Sequence, residues 1–240
     1  GYNIIYNVTE IINFAQGEFV MLGGLFGVFY YQTCGLPLGA AVLCAVATVG
    51  LTGLLLERYV IRRARHATVL SMIIVTIAFS ILLKGGAMLA WGKDPYRLPA
   101  FSRAGAFLWQ GVAVQPQALW VLGISAVVVG VLTVFFRTSF YGKAMLACAD
   151  NADAARLVGI PVRTMVLLSF GLSAAVGAVA GVAICPITLM EYDRGALLGL
   201  KGFGAAVLGG LGQFYGALVA GIVLGLAESL CAGYVSSGYK

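Results

Sequence analysis

The sequence predicts an all-α protein, a polytopic bundle of transmembrane helices. Of its 240 residues, 61% are hydrophobic and only 10% are charged, whereas soluble domains carry about 25% charge. Charged residues are absent from 19–56, 104–136, 164–190 and 202–227, and about 20 apolar residues suffice to cross a hydrocarbon core of about 30 Å. These stretches also lack the polar face that a helix of a soluble core keeps. Mean hydropathy is +0.98. The 33 glycines follow no collagen-like period and suit closely packed membrane helices instead. Such figures exclude a disordered chain, a disulfide scaffold and an ordinary soluble enzyme.

Residues 1–8 read as the tail of an earlier helix, so the chain reads as a fragment lacking a helix at each end. The first span is predicted at 14–31, introduced by the polar Asn7-Val8-Thr9-Glu10. A turn at Gly35-Leu36-Pro37 leads to a second span at 38–56. The basic loop 57–68 carries Arg58, Arg62, Arg63, Arg65 and the single histidine, His66. A third span follows at 69–91, interrupted by Lys84. The loop 92–117 holds Pro95, Pro99 and Pro116, and a fourth span covers 118–136. The polar segment 137–163 precedes a fifth span at 164–190. A short loop at 191–201 leads to a Gly-rich apolar region, 203–230, read either as one span or as a broken helix.

Loops 57–68 and 137–163 together hold eight Lys and Arg, and loops 92–117 and 191–201 hold five. The excess puts the first pair in the cytoplasm. Trp91, Trp109 and Trp120 cluster around the 92–117 loop, where an interfacial aromatic belt forms. A lysine at the centre of a span costs roughly 2.5–3.5 kcal/mol, so Lys84 either snorkels to the headgroups, pairs within the bundle or serves transport. The net charge of +6 belongs to these loops rather than to nucleic-acid binding. Five scattered cysteines and one histidine make no metal cluster, and no cofactor is expected.

Gly23/Gly27, Gly177/Gly181, Gly212/Gly216 and Gly221/Gly225 recur at the spacing that lets helices approach closely. Leu22-Gly23-Gly24-Leu25 returns as Leu208-Gly209-Gly210-Leu211. Paired Gly-interrupted segments are a pointer to a midplane site built from broken helices. The sequence has no P-loop and no HExxH. Ser173 has no histidine base within its span, which argues against proteolysis.

Two polar clusters remain. Asn13-Phe14-Ala15-Gln16-Gly17-Glu18 is either an interfacial cap, with Asn13 capping and Glu18 at the positive helix end, or part of a substrate or gating site. Residues 143–158 are predicted as one short cytoplasmic helix stopped by Gly159 and Pro161. Met145, Leu146, Ala149, Ala152 and Leu157 share one of its surfaces. Such a helix either docks a partner or lies flat on the membrane.

Asp153-Ala154-Ala155-x-x-x-Gly159 resembles the EAA-x-x-x-G coupling loop of ABC importer permeases, with Asp in place of Glu. The surrounding residues from Gly142-Lys143-Ala144-Met145-Leu146-Ala147-Cys148-Ala149-Asp150-Asn151 to Gly159-Ile160 resemble the branched-chain amino acid permeases in particular. So do Ile12-Asn13-Phe14-Ala15-Gln16-Gly17-Glu18, Gly199-Leu200-Lys201-Gly202-Phe203, Val207-Leu208-Gly209-Gly210-Leu211-Gly212, Gly225-Leu226-Ala227-Glu228 and Tyr234-Val235-Ser236-Ser237-Gly238-Tyr239-Lys240. The resemblance runs through the chain in order.

It implies a single permease domain, 1–240, in the bacterial inner membrane, with a cytoplasmic coupling-helix loop at 141–161. It also implies a second, homologous permease, two cytoplasmic ATP-binding subunits that hydrolyse ATP, a periplasmic solute-binding protein and surrounding lipid. Asp153, Ala154, Ala155 and Gly159 would then dock an ATPase. The chain itself would need no catalytic residue and no metal. For an apolar amino acid, Asn13, Phe14, Gln16, Gly17, Glu18, Gly209 and Gly210 are the candidates for the substrate path. Urea, short amides and aromatic acids are alternative substrates within the class. A channel or secondary transporter working alone, or a purely structural membrane subunit, are the alternatives outside it.

Overall fold

A computed structural model describes residues 1–64, 68–102, 107–109 and 112–234. Arg65, His66 and the motif residues 235–240 lie outside the described residues. Among the described residues, ten α-helices follow in order: α1 (Tyr2–Thr9), α2 (Gln16–Val28), α3 (Leu38–Leu55), α4 (Val69–Trp91), α5 (Pro116–Thr138), α6 (Phe140–Asp150), α7 (Ala152–Leu157), α8 (Val162–Ile184), α9 (Arg194–Leu208) and α10 (Phe214–Tyr234). Five are long and apolar enough to cross a membrane, at Leu38–Ile61, Leu70–Trp91, Pro116–Thr138, Val162–Ile184 and Phe214–Tyr234. The polytopic bundle follows from those lengths. Within the 92–117 loop, β1 (Phe107–Trp109) and β2 (Val112–Val114) form a short antiparallel ladder, from aromatic and β-branched residues that favour strands.

The first predicted span differs from expectation. It is a 13-residue helix, α2, extended by a π-helical turn at Phe29–Thr33. A second π-helical turn, Leu56–Ile61, continues α3 into the basic loop. Before α2 the chain is unwound. Asn13 is not the N-cap, which is Ala15; the Asn13 Oδ1 instead accepts from the Ala15 N–H at 3.0 Å in a turn one step earlier. Phe14 donates its N–H to Thr76 Oγ1 of α4 at 3.3 Å. An unwound segment inside a membrane needs such internal partners, because lipid offers none.

Helix α8 is the axis of the bundle, and α2 and α3 lie against it through glycine. A Cβ on Gly181 would strike the Val20 carbonyl and come within 2.9 Å of Gly24 N, and one on Gly23 would strike the Ala178 backbone. Across α3, a Cβ on Gly53 would reach Phe170 O at 2.6 Å. The predicted small-residue contacts are thus real for Gly23, Gly177 and Gly181. Among the described residues, a Cβ on Gly225 would meet nothing within 4 Å and one on Gly221 only Ala205 Cβ at 3.9 Å, so no close helix approach rests on that pair there.

Two tied ends define the sidedness. At one end, Tyr96 and Met190 form a backbone bridge, Arg97 Nε donates to Pro186 O at 2.9 Å, and Gln32 Nε2 donates to Arg97 O at 2.9 Å. At the other, basic end, Arg62, Arg156 and Arg163 border one cleft. The two loop pairs separated by charge in the sequence therefore stand at opposite ends. Trp91 packs edge-on against Phe26 at 5.0 Å, and Phe101 against Trp120 at 6.3 Å. Lys84 does not snorkel freely; its Nζ sits 5.6 Å from the centre of the Tyr192 ring, a cation–π pairing.

One further expectation is corrected, and one open alternative is decided. The loop predicted at 191–201 is helical from Arg194, which places Lys201 within α9. Its Nζ pairs with Glu228 of α10 at 2.8 Å. The Gly-rich region is broken, between α9 and α10, by Gly210 at φ 86° and Gly212 at φ 91°, a conformation open to glycine. Leu22-Gly23-Gly24-Leu25 stays helical inside α2, so the echoed tetrapeptides are not conformational equivalents.

Candidate functional site

Two places carry the sequence-predicted residues. The first lies at mid-depth. Residue 173 is the midpoint of α8 and residue 80 the midpoint of α4, and both are tied to the start of α2. Gln16 Nε2 donates to Ser173 O at 3.1 Å, and Ser173 Oγ donates to Gln16 Oε1 at 2.6 Å. Ser80 Oγ donates to Glu18 Oε1 at 2.9 Å. Glu18 is 1% exposed, and its Oε2 has no hydrogen-bond partner among the described residues. Asn13 is fully buried, and its Nδ2 has no partner among the described residues. Polar groups placed at this depth without partners mark function more often than packing.

Glycine brings α9 onto this segment. A Cβ on Gly17 would strike Gly195 O, one on Gly195 would strike the Glu18 carboxylate, and Gly199 lies against Gly17. Tyr2 donates its hydroxyl to Gly199 O at 3.0 Å. Phe14 packs against Phe203 with ring centres 5.5 Å apart. Alongside runs a half-open cavity of about 390 Å³, edged by Gln16, Gly17, Asn3 and Ser125 and walled by Val128, Leu132 and Val176. Asn13, Phe14 and Glu18 stand outside it. Gly209 and Gly210 are not part of this place either. They end α9, ten residues beyond Gly199, or about 15 Å along the helix. There Gly209 packs against the Gly216 backbone, and α1 holds the break through Asn7 Nδ2 donating to Gly212 O at 2.9 Å.

Sequence reasoning missed Tyr2, Thr76, Ser80, Gly195 and the partnering role of Ser173. Lone hydroxyls and glycines in apolar helices carry no local signal of the remote residue they meet. Glu18 gives a direct test of this contact network. Glu18→Ala leaves the half-buried Ser80 hydroxyl without its acceptor and is expected to cost about 0.5–1.5 kcal/mol. Glu18→Gln keeps a carbonyl oxygen for Ser80 and should cost much less. Thermal unfolding of the purified protein in detergent measures both.

The second place is at the basic end. The helix predicted over 143–158 is two helices, α6 and α7, separated at Asn151, whose backbone is extended (φ −158°, ψ 102°). Asn151 Oδ1 accepts from Asp153 N and Ala154 N at 3.0 and 2.9 Å, a side-chain N-cap. The other end closes with Gly159 at φ 86°. Gly159 N–H donates to Arg156 O at 3.0 Å and Ile160 N–H to Ala155 O at 2.9 Å, the paired bonds of a Schellman motif. Asp153 pairs with Arg156 at 2.7 Å. A six-residue helix is too short to persist on propensity; these caps and the buried Ala155 hold it. Leu157 does not share the face of Met145. It is 90% exposed and Val158 is 77% exposed, while Met145, Cys148 and Ala155 are buried. Ala154, Leu157 and Val158 form the outward apolar edge.

The family described as branched-chain amino acid transport system / permease component matches residues 1–239. The chain belongs to this family. It is 31% identical to the high-affinity branched-chain amino acid transport system permease protein LivH of Escherichia coli K12, over the whole chain and 82% of that protein. It is 30% identical, with the same coverage, to the corresponding permease protein BraD of Pseudomonas aeruginosa. Likeness to the L-arabinose transport system permease protein AraH of E. coli is lower, 26% over 54% of this chain and 40% of the relative. No solved structure matches. Membership makes this permease a membrane transport component rather than an enzyme, and it favours that function over a channel or secondary transporter working alone.

Proposed function

We infer that this permease carries branched-chain or other apolar amino acids across the bacterial inner membrane as a subunit of an ATP-binding-cassette importer. Its partners are a second, homologous permease, two cytoplasmic ATP-binding subunits that hydrolyse the ATP, and a periplasmic solute-binding protein. The observation that carries this proposal is α7: a helix capped at both ends, at the basic end of the bundle, with its apolar edge outward. Exposed Leu and Val on a rigid knob suit a groove on another protein. The basic end is cytoplasmic, as the excess of Lys and Arg requires.

Ala154, Leu157 and Val158 then enter the ATPase. Asp153, Ala155 and Gly159 give the knob its shape. Closure of the ATPases pushes α7, and the push reaches α8 through the short link 158–161. At mid-depth, the unwound Asn13 and Phe14 and the first residues of α2, Gln16, Gly17 and Glu18, bound the substrate path, with Gln16 and Gly17 on the cavity. Gly209 and Gly210 serve as the joint that lets α9 swing away from that segment. The mostly apolar walls with a few polar groups suit an aliphatic side chain.

Affinity purification of the full-length chain, expressed with its neighbouring transport genes, tests the assignment. A P-loop ATPase is expected to co-purify, and leucine uptake by reconstituted vesicles is expected to require both ATP and the binding protein. Uptake by this chain alone, with no ATPase bound, would overturn it.

A further inference from the structure

A second cleft, of about 460 Å³, opens at the basic end, apart from the mid-depth residues. Five pieces of chain wall it: the end of α1, the π-helical turn after α3, the start of α4, the hinge between α6 and α7, and the start of α8. Its floor is apolar, from Val8, Ile11, Ile61, Met72, Val162 and Val166. Its rim carries both signs of charge. Arg62 is committed to Glu57 at 2.9 Å, and Arg156 to Asp153 at 2.7 Å. Glu10, Asp150 and Arg163 also line the cleft, and none of their three side chains has a hydrogen bond or ion pair among the described residues.

Glu10 is unusual in a second way. It closes α1 at φ 55°, ψ 13°, the one non-glycine residue with positive φ among the described residues. Glycine fills such a position without strain, whereas another residue costs about 1–2 kcal/mol. Its N–H closes α1 on Tyr6 O at 2.9 Å, and Glu10 stands on the cleft rim.

We propose that this cleft binds the free zwitterion of an apolar α-amino acid from the cytoplasmic side and thereby slows import. Glu10 and Asp150 take the ammonium, Arg163 takes the carboxylate, and the aliphatic side chain lies on the floor. A simple cation leaves Arg163 and the floor unused. A simple anion is repelled by the two carboxylates. A molecule bearing both charges beside an aliphatic group satisfies all three. Bound there, it ties α1 and α8 to the Asn151 hinge, so α7 is less free to move with the ATPases. The proposal rests on the import function inferred above and adds a regulatory site to it.

The test uses the complete importer, with its binding protein, in phosphatidylcholine vesicles free of phosphatidylethanolamine, whose headgroup is also a zwitterion. Leucine loaded on the cytoplasmic side is expected to lower the initial rate of ATP-driven leucine uptake about tenfold, within the usual range of coupling between sites. Leucinamide and 4-methylpentanoate, each lacking one charge, should leave the rate unchanged. Arg163→Gln and Glu10→Gln should abolish the inhibition and keep the wild-type rate in vesicles loaded without amino acid. Absence of inhibition, equal inhibition by leucinamide, or inhibition unaltered in both variants would each overturn the site. Calorimetric binding of leucine to the detergent-solubilised complex without its binding protein reports on the cleft separately. Binding should be present in wild type and lost in Arg163→Gln. A complex that binds leucine in this way but imports none would sink the import function and leave the cleft standing.

Discussion

Ala154→Arg is expected to eliminate ATP-driven uptake while leaving the permease in the membrane and assembled with its partner permease. Ala154 lies one turn before Leu157 and Val158 on the exposed edge of α7, and all three side chains point away from the bundle. Fully burying an aliphatic side chain contributes about 1.5–3 kcal/mol, so a groove that receives Leu157 and Val158 gains several kcal/mol from two residues. A guanidinium at residue 154 holds that groove open and brings an unpaired charge to an apolar contact. A loss of at least 2 kcal/mol is typical of such a central position, which is about a 30-fold weakening of ATPase docking. Co-purification of the ATPase with the variant, against its level in the membrane, measures this. Ala155→Arg supplies the contrast. Ala155 is 3% exposed, so an arginine there disrupts α7 itself and lowers membrane level as well as uptake. Normal uptake by Ala154→Arg would remove α7 as the point of coupling.

Gly181→Leu carries the largest expected effect on stability. Helices in lipid gain little from the hydrophobic effect between them and associate through close packing. At residue 181 even a Cβ overlaps the Val20 carbonyl, and a backbone atom of a packed helix has no other place to go. The substitution forces α2 off α8 and displaces the Gln16–Ser173 contact with it. Overpacking of this kind costs about 3 kcal/mol or more, enough to empty the membrane of folded protein. Gly225→Leu is the matching control, because a Cβ there meets nothing within 4 Å among the described residues, and its own effect should stay within about 0.5 kcal/mol. Thermal unfolding in detergent separates the two, and equal melting temperatures would refute the glycine-mediated contact.

Much of the molecule is legible from its residues. The third span was predicted at 69–91 and is found there, since a charge-free stretch bounded by polar residues has little freedom about where to enter lipid. The first span was less legible. Asn13-Phe14-Ala15-Gln16-Gly17-Glu18 reads equally as a cap or as a site, and only the partners on α4, α8 and α9 show that it lies at mid-depth. The segment 141–161 lies between these cases. Gly159 was recognised as a stop, whereas the break at Asn151 was not, although Asn two residues before Asp153 is itself a capping signal. The apolar pattern across 145–157 suggested one continuous face and concealed it.

The tetrapeptide Leu-Gly-Gly-Leu marks the boundary between the two kinds of information. The sequence by itself determined where four of the long spans lie, those begun near residues 38, 69, 118 and 164, because hydrocarbon thickness fixes their length and charge fixes their limits. It also determined that this polar segment's helix stops at Gly159, because such a stop is settled within a few residues of chain. It did not determine what Leu-Gly-Gly-Leu becomes. At 22–25 the tetrapeptide stays helical, pressed against Ala178 and Met190; at 208–211 it opens into a turn held from outside by Asn3 and Asn7 of α1. Glycine leaves both backbones available at similar cost, so neighbours distant in the sequence make the choice.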